Sequence, residues 1–376
     1  MVANLSSVFV LLTMLLAGCS SGSQMTMTPN VPPPTTAEFA FVTNLNSNTV
    51  SAFEVEASGM LLRVGTFPTG GGPEFIAADS SGSFLFVANT ASNDLSAFQI
   101  DGMTGMLTAV AGSPFAAGMQ PEGVAVVSGG LHFLFVANTA GNSISAFKFD
   151  PMSGALSPVP GSPFSGIAAP FGVATDILGK FLFVTNRDAN TVSVFSIDNT
   201  TGALTAVAGS PFPTGSTPIG LASDPNGSFV YVGDHMSDTV SPFSVDPVRG
   251  SLTPVTQLPP PNPGCSSSCH LNPLRVAIHP TARLAFVANV GANSLSSFAI
   301  NHGVLLPASD PVSTGQHPFG VAPDPSGNFV YVVNKLDDDI AGFSVNTTTG
   351  ALTPLANSPF PSGGSQPVGI VIVRPE

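Results

Sequence analysis

The chain has 376 residues with nine basic and 22 acidic side chains, a net charge of −13, and only 8% of its residues are charged. That balance disfavours nucleic acid, whose binding rests on Lys and Arg neutralising phosphates, and weighs against polyanionic substrates. With 39 Gly, 36 Pro and no Trp, long solvent-exposed helices and blades built on a Trp-Asp signature are excluded, and an all-β chain rich in turns is favoured.

The first apolar run, Val8 to Leu16 (VFVLLTMLL), is too short to span a bilayer as a stable anchor. It runs into Leu16, Ala17, Gly18 and Cys19, which resembles the lipobox of bacterial lipoproteins. That resemblance implies a signal peptide over residues 1–18, lipidation of Cys19, and membrane attachment through the lipid alone in a bacterial cell envelope, at the periplasm or the outer-membrane surface. The stretch after it, to Thr36, is polar and carries a Pro triplet, so residues 19–36 are expected to be the lipidated Cys and a flexible tether. The folded domain is expected over residues 37–376.

From there the chain repeats itself. Phe84 to Val110 (FLFVANTASNDLSAFQIDGMTGMLTAV) reads as three short strands and two tight turns, and variants of it are anchored at Phe39, Phe84, Phe133, Phe181, Phe229, Leu284 and Phe329. The spacings are 45, 49, 48, 48, 55 and 45 residues, the period of propeller blades. A second aromatic stands two residues after each anchor, on the same strand face, and the alternate positions are also apolar. Strands apolar on both faces lie between two covering layers, here the neighbouring blades. A turn bracketed by Asn or Asp follows in every copy, as at Asn89/Asn93 and Asp234/Asp238, and its sevenfold recurrence marks a structural role. The next strand ends in a turn such as Asp198 to Leu204 (DNTTGAL), in which Gly supplies a positive φ. A longer loop, often Gly-Ser-Pro-Phe as at Gly112–Phe115, then leads into an inner strand rich in small residues, as in Pro318 to Gly327 (PFGVAPDPSG). The predicted fold is an all-β seven-bladed propeller of four-stranded blades. Because the chain opens on a second strand (Glu38–Asn44) and closes on a first (Pro367–Val373), one blade is shared by both termini.

The strands FVTN, FVAN, YVGD and YVVN, with the inner-strand pattern between them, resemble the YVTN-repeat and lactonase-type seven-bladed β-propellers, a group that includes bacterial 6-phosphogluconolactonase. The resemblance covers Glu38 to Arg374 and implies a lactone chemistry, which is expected to be metal-independent and without a cofactor, in a monomer. It is specific for the fold and weak for the activity, because the repeated residues are packing residues. The family's enzyme acts on a cytoplasmic phosphosugar lactone, so export argues against that substrate. Family members commonly carry His-Pro-His at an inner-strand start, where this chain has His317, Pro318 and Phe319.

Chemistry is sought where the copies fail to match. Aligned on the inner-strand Pro, Glu74 and Glu122 replace apolar residues, and Arg275 stands where five of the six other copies have Gly. Gln120, Asn272, His317 and Gln366 precede that Pro, while Arg187, His235 and Lys335 come from the bracketed turns. All are expected at one mouth of the central channel. Glu122, Arg275 and His317 are the catalytic candidates, with Glu122 or His317 activating water and Arg275, Arg187 or Lys335 stabilising the oxyanion. Glu74, Arg187, His235, Asn272, Lys335 and Gln366 are the substrate-binding candidates. The bland alternative is a polar, water-filled rim.

The long insertion from Pro259 to Pro273 holds Cys265 and Cys269, which an oxidising compartment would join in a disulfide. A c-type haem motif is one residue too short for Cys265, Cys269 and His270, and a metal site there lacks a fourth ligand. Two functions stand side by side. One is a lactone hydrolase or isomerase. The other is a non-catalytic envelope propeller that binds a protein, a glycan or a small ligand.

Overall fold

A computed structural model describes residues 37–127, 130–256, 271–281 and 283–376, so the expectations at Cys19, Cys265, Cys269 and His270, the signal peptide and the tether lie outside the described residues. Among the described residues every regular element is a strand. Seven antiparallel sheets are formed, one per copy of the repeat. The inner strands Pro73–Ala78, Pro121–Val126, Pro170–Thr175, Pro218–Ser223, Pro273–Ile278, Pro318–Pro323 and Pro367–Val373 begin on the seven aligned prolines. Each contacts the next, and the last contacts the first, which closes the ring. Blade 1 is built from both ends of the chain: Pro367–Val373 pairs with Glu38–Asn44, Phe39 opposite Val373 and Phe41 opposite Val371.

Blade-to-blade packing follows from the aromatic pair. Phe41, Phe86, Phe135, Phe183, Tyr231, Phe286 and Tyr331 are all fully buried, each contributing about 1.5–3 kcal/mol of apolar transfer energy. The first aromatic of a blade presses on the turn glycine of the following blade. A Cβ on Gly105 would strike the Phe39 ring, and the same holds for Gly154 against Phe84, Gly202 against Phe133 and Gly250 against Phe181. Gly is thus required twice over in that turn, for its φ of about +70° and for the missing side chain.

The bracketed turns do more than cap themselves. Their first member is buried and ties the hairpin, as Asn138 does through Ser143 (3.1 Å) and Ser145 (2.9 Å). Their second member has a left-handed backbone in all seven copies: Asn48, Asn93, Asn142, Asn190, Asp238, Asn293 and Asp338. Its side-chain oxygen accepts the backbone N–H of the residue that precedes the inner-strand Pro of the next blade. Examples are Gln120 to Asn93, Ala169 to Asn142 and His317 to Asn293, at 2.8–2.9 Å. The accepting residue and the donor both sit at positive φ in every blade, backbone that a residue before Pro avoids unless something fixes it. The loop read as Gly-Ser-Pro-Phe also proves more regular than expected. Phe115–Ala116 pairs back onto Asp94 and Leu95, and the Ser113 hydroxyl accepts the Ala97 N–H at 2.9 Å.

At the axis the strands approach closely. A Cβ on Gly123, Gly172, Gly220, Gly320 or Gly369 would stand closer than 3 Å to a backbone carbonyl of the next inner strand. Gly172→Ala, aimed at the Ile219 carbonyl, is expected to cost about 2–3 kcal/mol by chemical unfolding. A variant as stable as the parent would show that the inner strands are further apart than described.

Candidate functional site

Two blades escape the glycine rule. Phe75 and Arg275 occupy the glycine position, and there the strand is paired differently: Phe75 faces Ala88 and Arg275 faces Ala288, whereas in blades 4, 5 and 7 pairing resumes only one residue later. Freed from the close approach, both side chains reach into the channel and meet. The Arg275 guanidinium lies 3.8 Å from the Phe75 ring centroid and 5.8 Å from that of Phe319. Below them an axial cavity of about 140 Å³ is walled by Ile76, Val124, Val173, Val276, Val321 and Ile370.

The carboxyls collect on one side of Arg275. Glu122 is 8% exposed, and its Oε2 meets no protein donor. Burial, then a hydrogen bond to the Glu74 carboxyl and its charge, push the Glu122 carboxyl up to about 10, against the smaller opposing pull of Arg275 and Arg187. That bond exists only while one of the two carboxyls holds a proton, so the pair titrates as a unit. Thr90 donates to Glu74 Oε2 at 3.3 Å. Burial lowers Arg275 to about 10, with Glu74 and Glu122 resisting, so it is charged at neutral pH.

The second group surrounds Phe319. His317 lies against that ring, centroids 6.3 Å apart and nearly parallel, and the Lys335 ammonium is 5.4 Å from it. Burial, then the charges of Lys335 and His235, hold His317 below the ordinary imidazole value. His317 is therefore a neutral base at pH 7. Arg187 lies 5.6 Å from the Phe171 ring and bonds Asp188 at 2.9 Å. His235 Nδ1 is buried without a protein partner.

Seven of the nine catalytic and substrate-binding candidates thus share one mouth: Glu74, Glu122, Arg187, His235, Arg275, His317 and Lys335. Asn272 and Gln366 are first of all parts of the scaffold. The Asn272 side chain donates to the His235 carbonyl at 3.0 Å and its backbone N–H to Asp238, and Gln366 donates its N–H to Asp338 at 2.6 Å. The three phenylalanines that seat the cations escaped the sequence reading. Phe75 carried a signal, since it breaks the same glycine column as Arg275. Among the described residues no group of three or more His, Cys, Asp or Glu is placed to hold a metal ion.

The description "Lactonase, 7-bladed beta-propeller" fits residues 35–128, 120–215, 172–268 and 270–368 of this chain. The chain belongs to that lactonase family. No curated protein matches its sequence. Solved structures share the fold of this lactonase-family propeller. A proposed 6-phosphogluconolactonase from Bacteroides fragilis is 21% identical with a TM-score of 0.76, over 90% of this chain and 98% of that one. One from Bacteroides uniformis is 19% identical with a TM-score of 0.78, over 90% and 100%. The periplasmic gluconolactonase of Pseudomonas aeruginosa is 20% identical with a TM-score of 0.75, over 90% and 100%.

The carboxyl pair makes stability depend on pH. Glu122 titrates near 10 in the folded chain, above its ordinary 4.5, so the folded state keeps a proton that the unfolded state releases. Its contribution is complete below about pH 4.5 and falls as pH rises towards 10, by up to about 1.4 kcal/mol per pH unit. Glu122→Gln, neutral at every pH, is expected to match the parent in thermal midpoint at pH 4.5 and to exceed it increasingly from pH 6 to pH 9. Parallel midpoints across that range would contradict the buried, protonated carboxyl.

Proposed function

We propose that this lactonase-family propeller hydrolyses a lactone at the channel mouth. The observation that carries the reading is the neutral Glu122 carboxyl beside Glu74 and the charged Arg275, within a mouth that also holds the neutral base His317. An acid, a base and a fixed cation are the set that ester cleavage needs. In the proposed reaction His317 takes a proton from water as the water oxygen bonds to the lactone carbonyl carbon. Arg275 stabilises the oxyanion that forms, its guanidinium held against Phe75. The tetrahedral centre collapses with cleavage of the bond to the ring oxygen, which takes the Glu122 proton. Arg187 and Lys335 supply positive charge at the rim for an anionic or hydroxyl-rich substrate.

Sugar lactones are the substrate class best supported. The Pseudomonas neighbour is described as a periplasmic gluconolactonase, which agrees with the lipobox-like run ending at Cys19. We infer the same export and a lipid anchor here. Metabolic labelling with radioactive palmitate is expected to mark the protein in a bacterial host and to fail for Cys19→Ser; equal labelling of both would remove the anchor.

The catalytic reading is tested by turnover of γ- and δ-sugar lactones. Arg275→Ala, His317→Ala and Glu122→Gln are each expected to lower kcat by about 10²-fold or more. For the parent, kcat/KM should rise with pH through a limb below 6.5, as His317 loses its proton, and fall towards pH 10 as Glu122 ionises. Rates unchanged in all three variants would overturn it and leave the binding propeller.

A further inference from the structure

On the face opposite the mouth, neighbouring blades are separated by grooves that the outer hairpins fill. Six residues connect Ile100 to its partner Leu107, and six connect Phe149 to Leu156, Ile197 to Leu204, Val245 to Leu252 and Val345 to Leu352. In blade 6 only four residues connect Ile300 to Leu305, in a tight turn through His302 and Gly303. The groove between blades 5 and 6 lies beside this shorter turn, whose Gly303 packs on the Phe229 ring. It holds about 520 Å³, whereas the corresponding groove between blades 2 and 3, under a six-residue connection, holds about 180 Å³. A volume of about 300–1,000 Å³ is that of small-molecule sites.

The lining differs in kind as well as in size. Arg283 replaces the His132 of the smaller groove. Among the described residues no carboxylate pairs with Arg283, as none does with Arg63, whereas Arg187, Arg249 and Arg374 each have one. The carboxylate in the groove lining, Asp224, is 7% exposed, and its Oδ1 accepts the N–H groups of Ser228 (2.6 Å) and Phe229 (2.8 Å). His302 stands at the tip of the short turn, its Nδ1 2.7 Å from Asn301 Oδ1. Asn226, Ser228 and Thr281 offer amide and hydroxyl groups, and Phe229 and Ile300 an apolar wall.

We propose that this groove binds a small sugar acid, separately from the mouth. Arg283 takes the carboxylate through its planar fork, the amide and hydroxyls take the ring hydroxyls, and Phe229 and Ile300 receive the C–H face of the ring. The groove owes nothing to the catalytic groups, so the proposal stands or falls independently of lactone hydrolysis.

The test is calorimetric titration of the full-length protein with D-glucuronate. Saturable binding is expected in the parent and in Arg275→Ala. It should weaken at least tenfold in Arg283→Gln, and equally in a variant with two threonines inserted after Asn301 to restore the six-residue connection. Both changes lie on the surface, and unchanged thermal midpoints and lactone turnover would show that fold and mouth survive them. Absence of saturable binding at millimolar glucuronate, binding that neither variant weakens, or binding lost in Arg275→Ala would each overturn the proposal.

Discussion

The molecule is organised by the distance between neighbouring inner strands. Around the axis each strand lies so close to the next that five of the seven positions facing a carbonyl admit only glycine. The outer parts of the blades accommodate this spacing. Large aromatics fill the space between sheets where it widens, and the left-handed Asn and Asp residues bolt each turn to the start of the next blade. Phe75 and Arg275 are the two places where the constraint is lifted. There the strand pairing shifts, and a large side chain can enter the channel.

What enters the channel sets the electrostatics of the mouth. Charge is scarce in this sequence, yet two carboxyls and several cations converge on one end of the ring. Removing them from water favours neutral forms. Glu122 keeps its proton because it is buried and shares a bond with Glu74, and His317 stays unprotonated because it is half-buried near Lys335 and His235. Arg275 keeps its charge because both carboxyls and the faces of Phe75 and Phe319 compensate it, a cation–π contribution of about 1–2 kcal/mol. Opposite protonation states therefore coexist within one site, as acid–base chemistry requires.

Much of the fold was legible because packing repeats. The anchors from Phe39 to Phe329 and the prolines from Pro73 to Pro367 mark strands that begin where the alignment put them, to within a residue. The bracketed turns were legible as structure but not in their reach. Asn93 bonds to Gln120 only because the ring sets the two side by side, and no local rule shows that. For the same reason His317 and Asn272 stood out as candidate ligands although their position is a scaffold joint in every blade. Of the site, the seven polar residues could be found as departures from the repeat. The protonation of Glu122, and the seating of Arg275 on Phe75, depend on burial and on contact across the channel, which a linear pattern does not carry. The groove beside the hairpin at His302 depends on packing between two blades, which a linear pattern does not carry either.

In the proposed function, activity lies where the glycine column is broken. Glycine at positions 75 and 275 would give all seven blades the same residue there, so the double change Phe75→Gly with Arg275→Gly is expected to fold. Its turnover of a δ-sugar lactone, measured beside its thermal unfolding, is the direct test. A folded propeller without measurable turnover is the expected result. A folded propeller that hydrolyses the lactone at the parental rate would contradict it.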